Sequence, residues 1–365
     1  MRIGISCHAT IGGSGAIAAS LGRLLADAGH EVHFICHDIP FGLSAVPDAG
    51  ITVHKVEAAR YPPLKWPPYE MALAVKMVSV ARETHLDVIH AHYAIPHALS
   101  AYLAREMVAP AKLPVVCTLH GTDITLVGAD PSYRPLVQHL LNVSDAVTAV
   151  SRWLAGTTKS IFALHRDVRT IHNFIDTNEY RSIRGTPSEL PTLVHVSNFR
   201  PVKRTVDVIK VFNIVRERLD ARLLMVGNGP DRAAAAELAR DLGVERDVCF
   251  IGTARDIIEI LSSADVFLLP SEMESFGLAA LEAMACEVPV VAARVGGLPE
   301  VVEDGGSGYL LPLGDVEGMA GRALEILQNP ELRTTMGRRG RAIADERFTP
   351  HTALNEYLDV YHSVL

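Results

Sequence analysis

Short apolar runs alternate with helix-like segments along this chain, and the alternation stops once and then restarts. In the first half the runs are RIGISC, VHFIC, ITVHKV, DVIHA, VVCTLH, AVTAVS and VRTIH. Most are apolar on both faces, as buried parallel strands are. After the first run, Ile17, Leu21, Leu24, Leu25 and Ala28 recur at helical spacing. That predicts a helix near residues 15–28, with Gly29 as its stop. A polar, turn-rich interval follows Asn173 and ends near Leu190. Then TLVHVS, RLLMVG, VCFIG, DVFLLP and VPVVAA resume the pattern, with helices expected near 205–218, 232–241, 257–262 and 276–285. Right-handed helical crossovers turn such strings into α/β layers. The expectation is two α/β domains facing a cleft, with ligands at the carboxyl ends of the strands.

Length agrees, because 365 residues make about two domains at roughly 150 residues each. A formal net charge of −8 argues against a general nucleic-acid binder. With 48% apolar and 21% charged residues, the chain is globular and able to bury large cores. Cys7, Cys36, Cys117, Cys249 and Cys286 are odd in number and widely spaced. They suggest neither a zinc site nor a redox dithiol, and read as small apolar residues in a reducing compartment. The opening MRIGISCHATIGG lacks the apolar core of a signal peptide. The uncharged stretch 88–104 holds three histidines and a proline, and is shorter than the roughly 20 apolar residues of a membrane span. A cytoplasmic protein is expected, with no membrane or nucleic-acid partner.

Four prolines in YPPLKWPPYE exclude an ordinary helix or central strand. A surface loop should therefore lead into a helix over 69–84. Its Tyr61, Trp66 and Tyr69 either line a ligand or subunit contact or pin the loop by packing.

Gly12, Gly13 and Gly15 stand between the first strand and a strong helix. Small residues let backbone approach a ligand, and helix-start N–H groups favour an anion. The run fits neither GxGxxG nor a P-loop. A tight strand-to-helix turn explains it equally well. HVSNFRPVKRTVDVI puts Arg200 and Lys203 in the turn before a helix, with Arg204 beside them. Arg can bridge two oxygens and Lys adds a mobile charge, which suits a diphosphate; a solvated basic patch is the plainer reading.

In SEMESFGLAALEAM, Glu274 precedes an expected helix start at Phe276, and Glu282 lies about two turns on. Such carboxylates can accept hydrogen bonds from sugar hydroxyls and a ribose diol. They would serve equally as a helix-start acid and a surface acid. A carboxylate pair also suggests glycoside hydrolysis, but the basic turn implies a phosphorylated substrate. No DxD triplet or HExxH occurs, so no metal holder is evident. His120 ends an apolar strand and enters Gly-Thr-Asp, where Asp123 or local backbone could orient it toward the cleft.

This combination resembles the retaining nucleotide-sugar glycosyltransferases of GT-B architecture, which have two Rossmann-like domains. That family's mark is two glutamates separated by seven residues, here Glu274 and Glu282, followed by a segment like RVGGLPEVV. The runs IGGSG, HAHYAIPHA, TLHGTDIT and SNFRPVKR and the proline loop resemble its branch acting on L-malate. The resemblance implies domains at 1–172 plus a returning helix at 348–365, and at 173–347. It implies metal-free, retaining transfer of N-acetylglucosamine from UDP-GlcNAc to L-malate, giving GlcNAc-α-malate and UDP, the first step of bacillithiol synthesis. No cofactor is implied beyond the donor, and a homodimer is favoured.

By motif, Arg200 and Lys203 would hold the diphosphate, Glu282 the ribose and Glu274 the sugar. His120 would sit near the sugar's 6-hydroxyl. Gly13 and the backbone at Phe276, Gly277 and Leu278 would cradle donor oxygens, and the uracil would lie near Gly252 and Arg255. Tyr93, Ser14 and Arg134 are candidates for malate. The family's arginine aligns nearer Gln138, one turn beyond Arg134, so Arg152 competes. An inositol-phosphate acceptor, or a UDP-GlcNAc 2-epimerase, remains the alternative.

Overall fold

The computed structural model describes residues 1–9, 13–43, 49–58, 67–183, 190–254 and 256–365. Gly12, Tyr61, Trp66 and Arg255, singled out above, lie outside the described residues. The chain forms two compact units, Met1–Phe174 with Pro350–Leu365, and Ile175–Thr349.

Among the described residues, the first unit is built on seven strands: β1 (Arg2–Ser6), β2 (Glu31–Cys36), β3 (Ile51–Lys55), β4 (Val88–His92), β5 (Val115–Leu119), β6 (Ala146–Ala149) and β7 (Val168–Thr170). Its helices are α1 (Gly13–Asp27), α2 (Tyr69–Thr84), α3 (Leu99–Val108), α4 (Arg134–Val143) and α5 (Arg152–Ile161). All pairings are parallel, in the order β3-β2-β1-β4-β5-β6-β7, with Ile5 opposite His90. Every residue of β4 and β5 is buried, which explains their unbroken apolar character.

The second unit carries β8 (Thr192–Val196), β9 (Arg222–Val226), β10 (Val248–Gly252), β11 (Val266–Leu269), β12 (Val290–Ala293) and β13 (Gly308–Leu311). Its helices are α6 (Thr205–Arg216), α7 (Arg232–Asp241), α8 (Ile257–Ser262), α9 (Leu278–Ala285), α10 (Leu298–Val301), α11 (Val316–Gln328) and α12 (Pro330–Arg347). The sheet is again parallel, in the order β10-β9-β8-β11-β12-β13. Val208, Phe212 and Val215 of α6 enter one core with Leu193, Leu223, Met225 and Leu324. Each such side chain contributes about 1.5–3 kcal/mol of burial. The chain then returns as α13 (Pro350–Val364), which belongs to the first unit and buries Tyr357 and Tyr361 there.

Strand order reverses between β1 and β4 in one unit and between β8 and β11 in the other. These are the points where an open α/β sheet offers a crevice beyond its strand ends.

Several boundaries differ from the sequence reading. α1 starts at Gly13 rather than Gly15. α9 starts at Leu278 rather than Phe276, because Gly277 has φ +101° and caps the helix from the left-handed region. The run GYLL, too short to stand out, adds the sixth strand of the second unit. The units divide at Phe174/Ile175 and Thr349/Pro350, two residues beyond the positions read from sequence. Phe348 stays with the second unit because its ring packs edge-on against Phe276, with centroids 5.4 Å apart. The five cysteines are all free; four are buried, but Cys249 is exposed. No helix among the described residues is long and apolar enough to cross a membrane.

Candidate functional site

In the second unit, the loop after β8 is fixed from several sides. Ser197 N–H donates to the Val226 carbonyl (3.0 Å) and Asp231 N–H to the Phe199 carbonyl (2.9 Å). Gly227 N–H reaches the Gly252 carbonyl at 2.7 Å, joining the ends of β9 and β10. Phe199 is wholly buried, which anchors the loop by packing. Arg200 then caps a 3-10 turn over Pro201–Lys203. Its side chain is exposed and meets no partner among the described residues.

Lys203 behaves differently. Its Nζ lies 2.6 Å from Oε1 of Glu274, which also accepts from the buried Ser271 hydroxyl at 2.7 Å. Glu272 N–H donates to the Val202 carbonyl at 2.8 Å, so the loops after β8 and β11 are tied together. Behind Glu274, Gly297 N–H donates to its carbonyl at 2.8 Å. The GG of RVGGLPEVV therefore supports the acidic loop directly. Neighbouring His195 is neutral. Burial takes it down to about 4, and its ring nitrogens meet the Leu268 carbonyl and the Ser197 hydroxyl, each at 2.8 Å.

Phe276 is buried, and Gly277 and Leu278 place the start of α9 just after Glu274. Glu282 lies half-buried within α9, and burial pushes its carboxyl up to about 7. The Tyr180 hydroxyl faces it and offsets part of that rise. Tyr180 is held by Arg341 of α12, which donates to the carbonyls of Thr177 (2.8 Å), Tyr180 (2.8 Å) and Ala285 (3.0 Å). Sequence reasoning missed Ser271, His195, Tyr180 and Arg341. Only Ser271, at the end of the run DVFLLPS, carried a local signal.

In the first unit, His120 follows β5 and half-emerges from a nest of aromatic rings. Its Nε2 lies 2.9 Å from Nδ1 of His92, and its ring stacks on His92 and Tyr93, both at 5.2 Å between centroids. Asp123 orients the backbone here, not the imidazole. Its Oδ1 accepts from the N–H groups of Gly121 (2.8 Å) and His120 (3.2 Å). Burial raises the Asp123 carboxyl to about 6 against those bonds. His90 bridges Tyr361 of α13 (2.8 Å) and Thr118 (2.6 Å). Burial holds His92, His97 and His120 well below the usual histidine range and takes His90 to about 3, so the cluster is neutral. Among the described residues, no three His, Cys, Asp or Glu side chains are grouped to hold a metal.

Gly13 and Ser14 open α1 after β1, and Tyr93 follows β4, so these residues share the switch point with His120. Tyr93 takes φ +89° and its hydroxyl accepts from Thr122 at 3.3 Å. Arg134 lies elsewhere. It donates to the Ile161 carbonyl and lines a cleft with Gln138, His139 and His165 that includes neither His120 nor Tyr93. Arg152 is exposed at the first position of α5.

Residues 176–343 match the family described as glycosyl transferases group 1, and residues 11–179 match glycosyltransferase family 4. Over 100% of this chain and 97% of the relative, it is 42% identical to N-acetyl-alpha-D-glucosaminyl L-malate synthase of Bacillus anthracis. The chain belongs to the group 1 glycosyltransferases. This glycosyltransferase is also 32% identical to D-inositol 3-phosphate glycosyltransferase of Kribbella flavida, over 90% of this chain and 85% of that one. Its fold is that of Anabaena HepE, solved in complex with UDP-glucose. The TM-score is 0.81 at 22% identity, with both chains fully covered. Two parallel-sheet α/β domains of GT-B type are thus the architecture of the glycosyltransferase.

Proposed function

We propose that this glycosyltransferase moves N-acetylglucosamine from UDP-GlcNAc to the hydroxyl of L-malate, giving GlcNAc-α-malate and UDP, the first step of bacillithiol synthesis. The observation that carries the substrate choice is the 42% identity to the malate enzyme across both chains. The geometry supports a donor half-site in the second unit. Arg200 and Lys203 stand at the strand ends where a diphosphate can meet two cations, and Glu274 and Glu282 lie beside them on one loop and helix. Gly252 ends β10, where its carbonyl accepts from Gly227 N–H after β9, and is the candidate for the base.

In this reading Arg200 and Lys203 stabilise the charge that grows on the diphosphate as the glycosidic bond breaks, where preorganised electrostatics acts most strongly. Glu274 accepts sugar hydroxyls and Glu282 the ribose diol. The neutral imidazole of His120 uses Nε2 for His92, which leaves Nδ1 for the sugar's 6-hydroxyl. The departing phosphate oxygen takes the malate hydroxyl proton, and attack from the same face retains the α configuration. Arg200 and Lys203 meet that charge, and in this reading transfer proceeds without a metal. Ser14 and Tyr93, at the strand ends of the first unit, are the acceptor candidates beside His120, and Arg152, rather than the outlying Arg134, is the candidate carboxylate ligand. The reading places the enzyme in the cytoplasm as a homodimer.

The test offers UDP-GlcNAc with L-malate, with inositol 3-phosphate or with no acceptor, and follows the product by NMR. The α-glycoside of malate, formed in the presence of a strong chelator, is expected. A β product overturns retention, and chelator loss restored by a divalent ion overturns the metal-free step. Consumption of inositol phosphate instead of malate overturns the acceptor. A 2-epimer formed without acceptor indicates an isomerase.

A further inference from the structure

We propose that the Lys203–Glu274 ion pair, held in place by Ser271, is an internal competitor of the nucleoside diphosphate, and that it favours release of the bare diphosphate once the sugar has been passed on. The inference rests on the reading that Lys203 meets the diphosphate and Glu274 the sugar.

Lys203 Nζ stands 2.6 Å from Glu274 Oε1, with only 20% and 10% of the two side chains exposed. A diphosphate that recruits Lys203 must therefore draw it from one anion to another. Its gain is the difference between two charge-assisted bonds, not the whole of one. Glu274 then stays behind in a place largely cut off from water. Losing a partner there costs more than losing one at the surface.

Glu274 cannot follow the lysine outward. Its backbone carbonyl is held by Gly297 N–H at 2.8 Å. Its Oε1 is held by the hydroxyl of Ser271, which is fully buried after β11. The mobile partner is Lys203, on a flexible stem at the end of a 3-10 turn. Both bonds fall on Oε1, and Oε2 meets no partner among the described residues. A sugar hydroxyl has an oxygen ready to receive it.

An intact donor and a bare diphosphate therefore face different balances. The donor takes Lys203 with its phosphates and returns a hydrogen-bond donor to Glu274 with its sugar. The bare diphosphate takes Lys203 and returns nothing. When the sugar leaves on the acceptor, Glu274 reclaims the lysine and the diphosphate is loosened. Ser271 is a positioning residue in this scheme, because it fixes the acid against which Lys203 is balanced.

Calorimetric titration with UDP and with UDP-GlcNAc, without acceptor, tests the scheme on the full chain and its Glu274→Gln, Ser271→Ala, Lys203→Ala and Ser271→Ala/Glu274→Gln variants. Glu274→Gln should bind UDP about tenfold more tightly, the difference between a charged and a neutral hydrogen bond, yet bind UDP-GlcNAc no more tightly. Product inhibition by UDP should rise in parallel. Ser271→Ala, which frees Glu274 to follow the lysine, should bind UDP more tightly, and that gain should vanish in the Glu274→Gln background, because it acts through the acid. A purely structural serine would cost the same in both backgrounds, and that result overturns its role. UDP affinity unchanged or reduced in Glu274→Gln, with Lys203→Ala still weakening UDP, overturns the competition while leaving the donor site intact. Unchanged UDP affinity in Lys203→Ala removes the donor reading itself and the competition with it.

Discussion

A Cβ placed on Gly296 would stand 1.9 Å from the carbonyl oxygen of Glu274. The two backbones touch, and no side chain fits between them. Gly296 also takes φ +57°, which L side chains adopt at a cost. The Glu274 loop is therefore shaped from behind by a glycine more than twenty residues away in sequence.

Gly296→Ala should destabilise the second unit by about 1–3 kcal/mol, the range for forced overpacking, and should weaken donor binding as Glu274 shifts. Gly321 lies inside α11, where an added Cβ meets nothing within 4 Å. Gly321→Ala should be neutral or stabilising by up to about 1 kcal/mol. Denaturant melts and donor titrations of the two variants check the contrast. Equal behaviour would mean that the close approach does not shape the loop.

Arg200 and Lys203 should separate in their effects on stability. Arg200→Ala should weaken UDP binding by up to about 1.5–3 kcal/mol for a charge-assisted bond, and Lys203→Ala by less, because the lysine is drawn from its bond to Glu274. Arg200 has no side-chain partner among the described residues, so Arg200→Ala should leave the melting temperature unchanged. Lys203→Ala strips Glu274 of its ion pair and should cost about 1–3 kcal/mol of folding stability. Calorimetry with thermal melts reads both quantities.

Donor affinity should depend on pH through Glu282. Its carboxyl sits near 7 in the free protein, raised by burial, and ribose hydroxyls need the carboxylate as acceptor. Binding should therefore weaken as pH falls through about 7, approaching tenfold per pH unit below it. Tyr180 opposes the rise, so Tyr180→Phe should move the midpoint upward. UDP-GlcNAc is the right probe, because its diphosphate is esterified on both sides and does not titrate near neutrality. A flat profile between pH 6 and 8 would remove Glu282 from the ribose.

The buried histidines make the first unit sensitive to acid. His90, His92, His97 and His120 are neutral when folded, with their ring pKa values lowered chiefly by burial. A lowered folded value means that the stabilisation is present above the unfolded value of about 6.5 and is lost as pH falls below it. Each histidine contributes a slope of up to about 1.4 kcal/mol per pH unit. Among the described residues, Nε2 of His92 and of His97 already lacks a partner, so a proton there gains nothing locally. Urea unfolding at pH 7 and pH 5.5 should show a loss of several times that slope. Stability that is level across this interval would mean that the rings are charged in the folded state.

Local pattern was enough for much of this protein. The helices 232–241 and 257–262 stand where the periodicity put them, because a helical face is written in residues three and four apart. The turn of Arg200 and Lys203, and the placement of Glu274 before a helix carrying Glu282, follow from short-range signals of the same kind. Their partnerships were not legible. Lys203 and Glu274 are 71 residues apart and meet because β8 lies beside β11. Tyr180 reaches Glu282 because Arg341, about 160 residues later, gathers the carbonyls around it. His90 finds Tyr361 because the last helix returns to the first unit. Hydrogen bonds and ion pairs are satisfied by whatever the strand order brings within about 3 Å. That order is settled by packing of the whole sheet, so the sequence by itself determined which residues could do the chemistry, and tertiary structure decided which of them face one another.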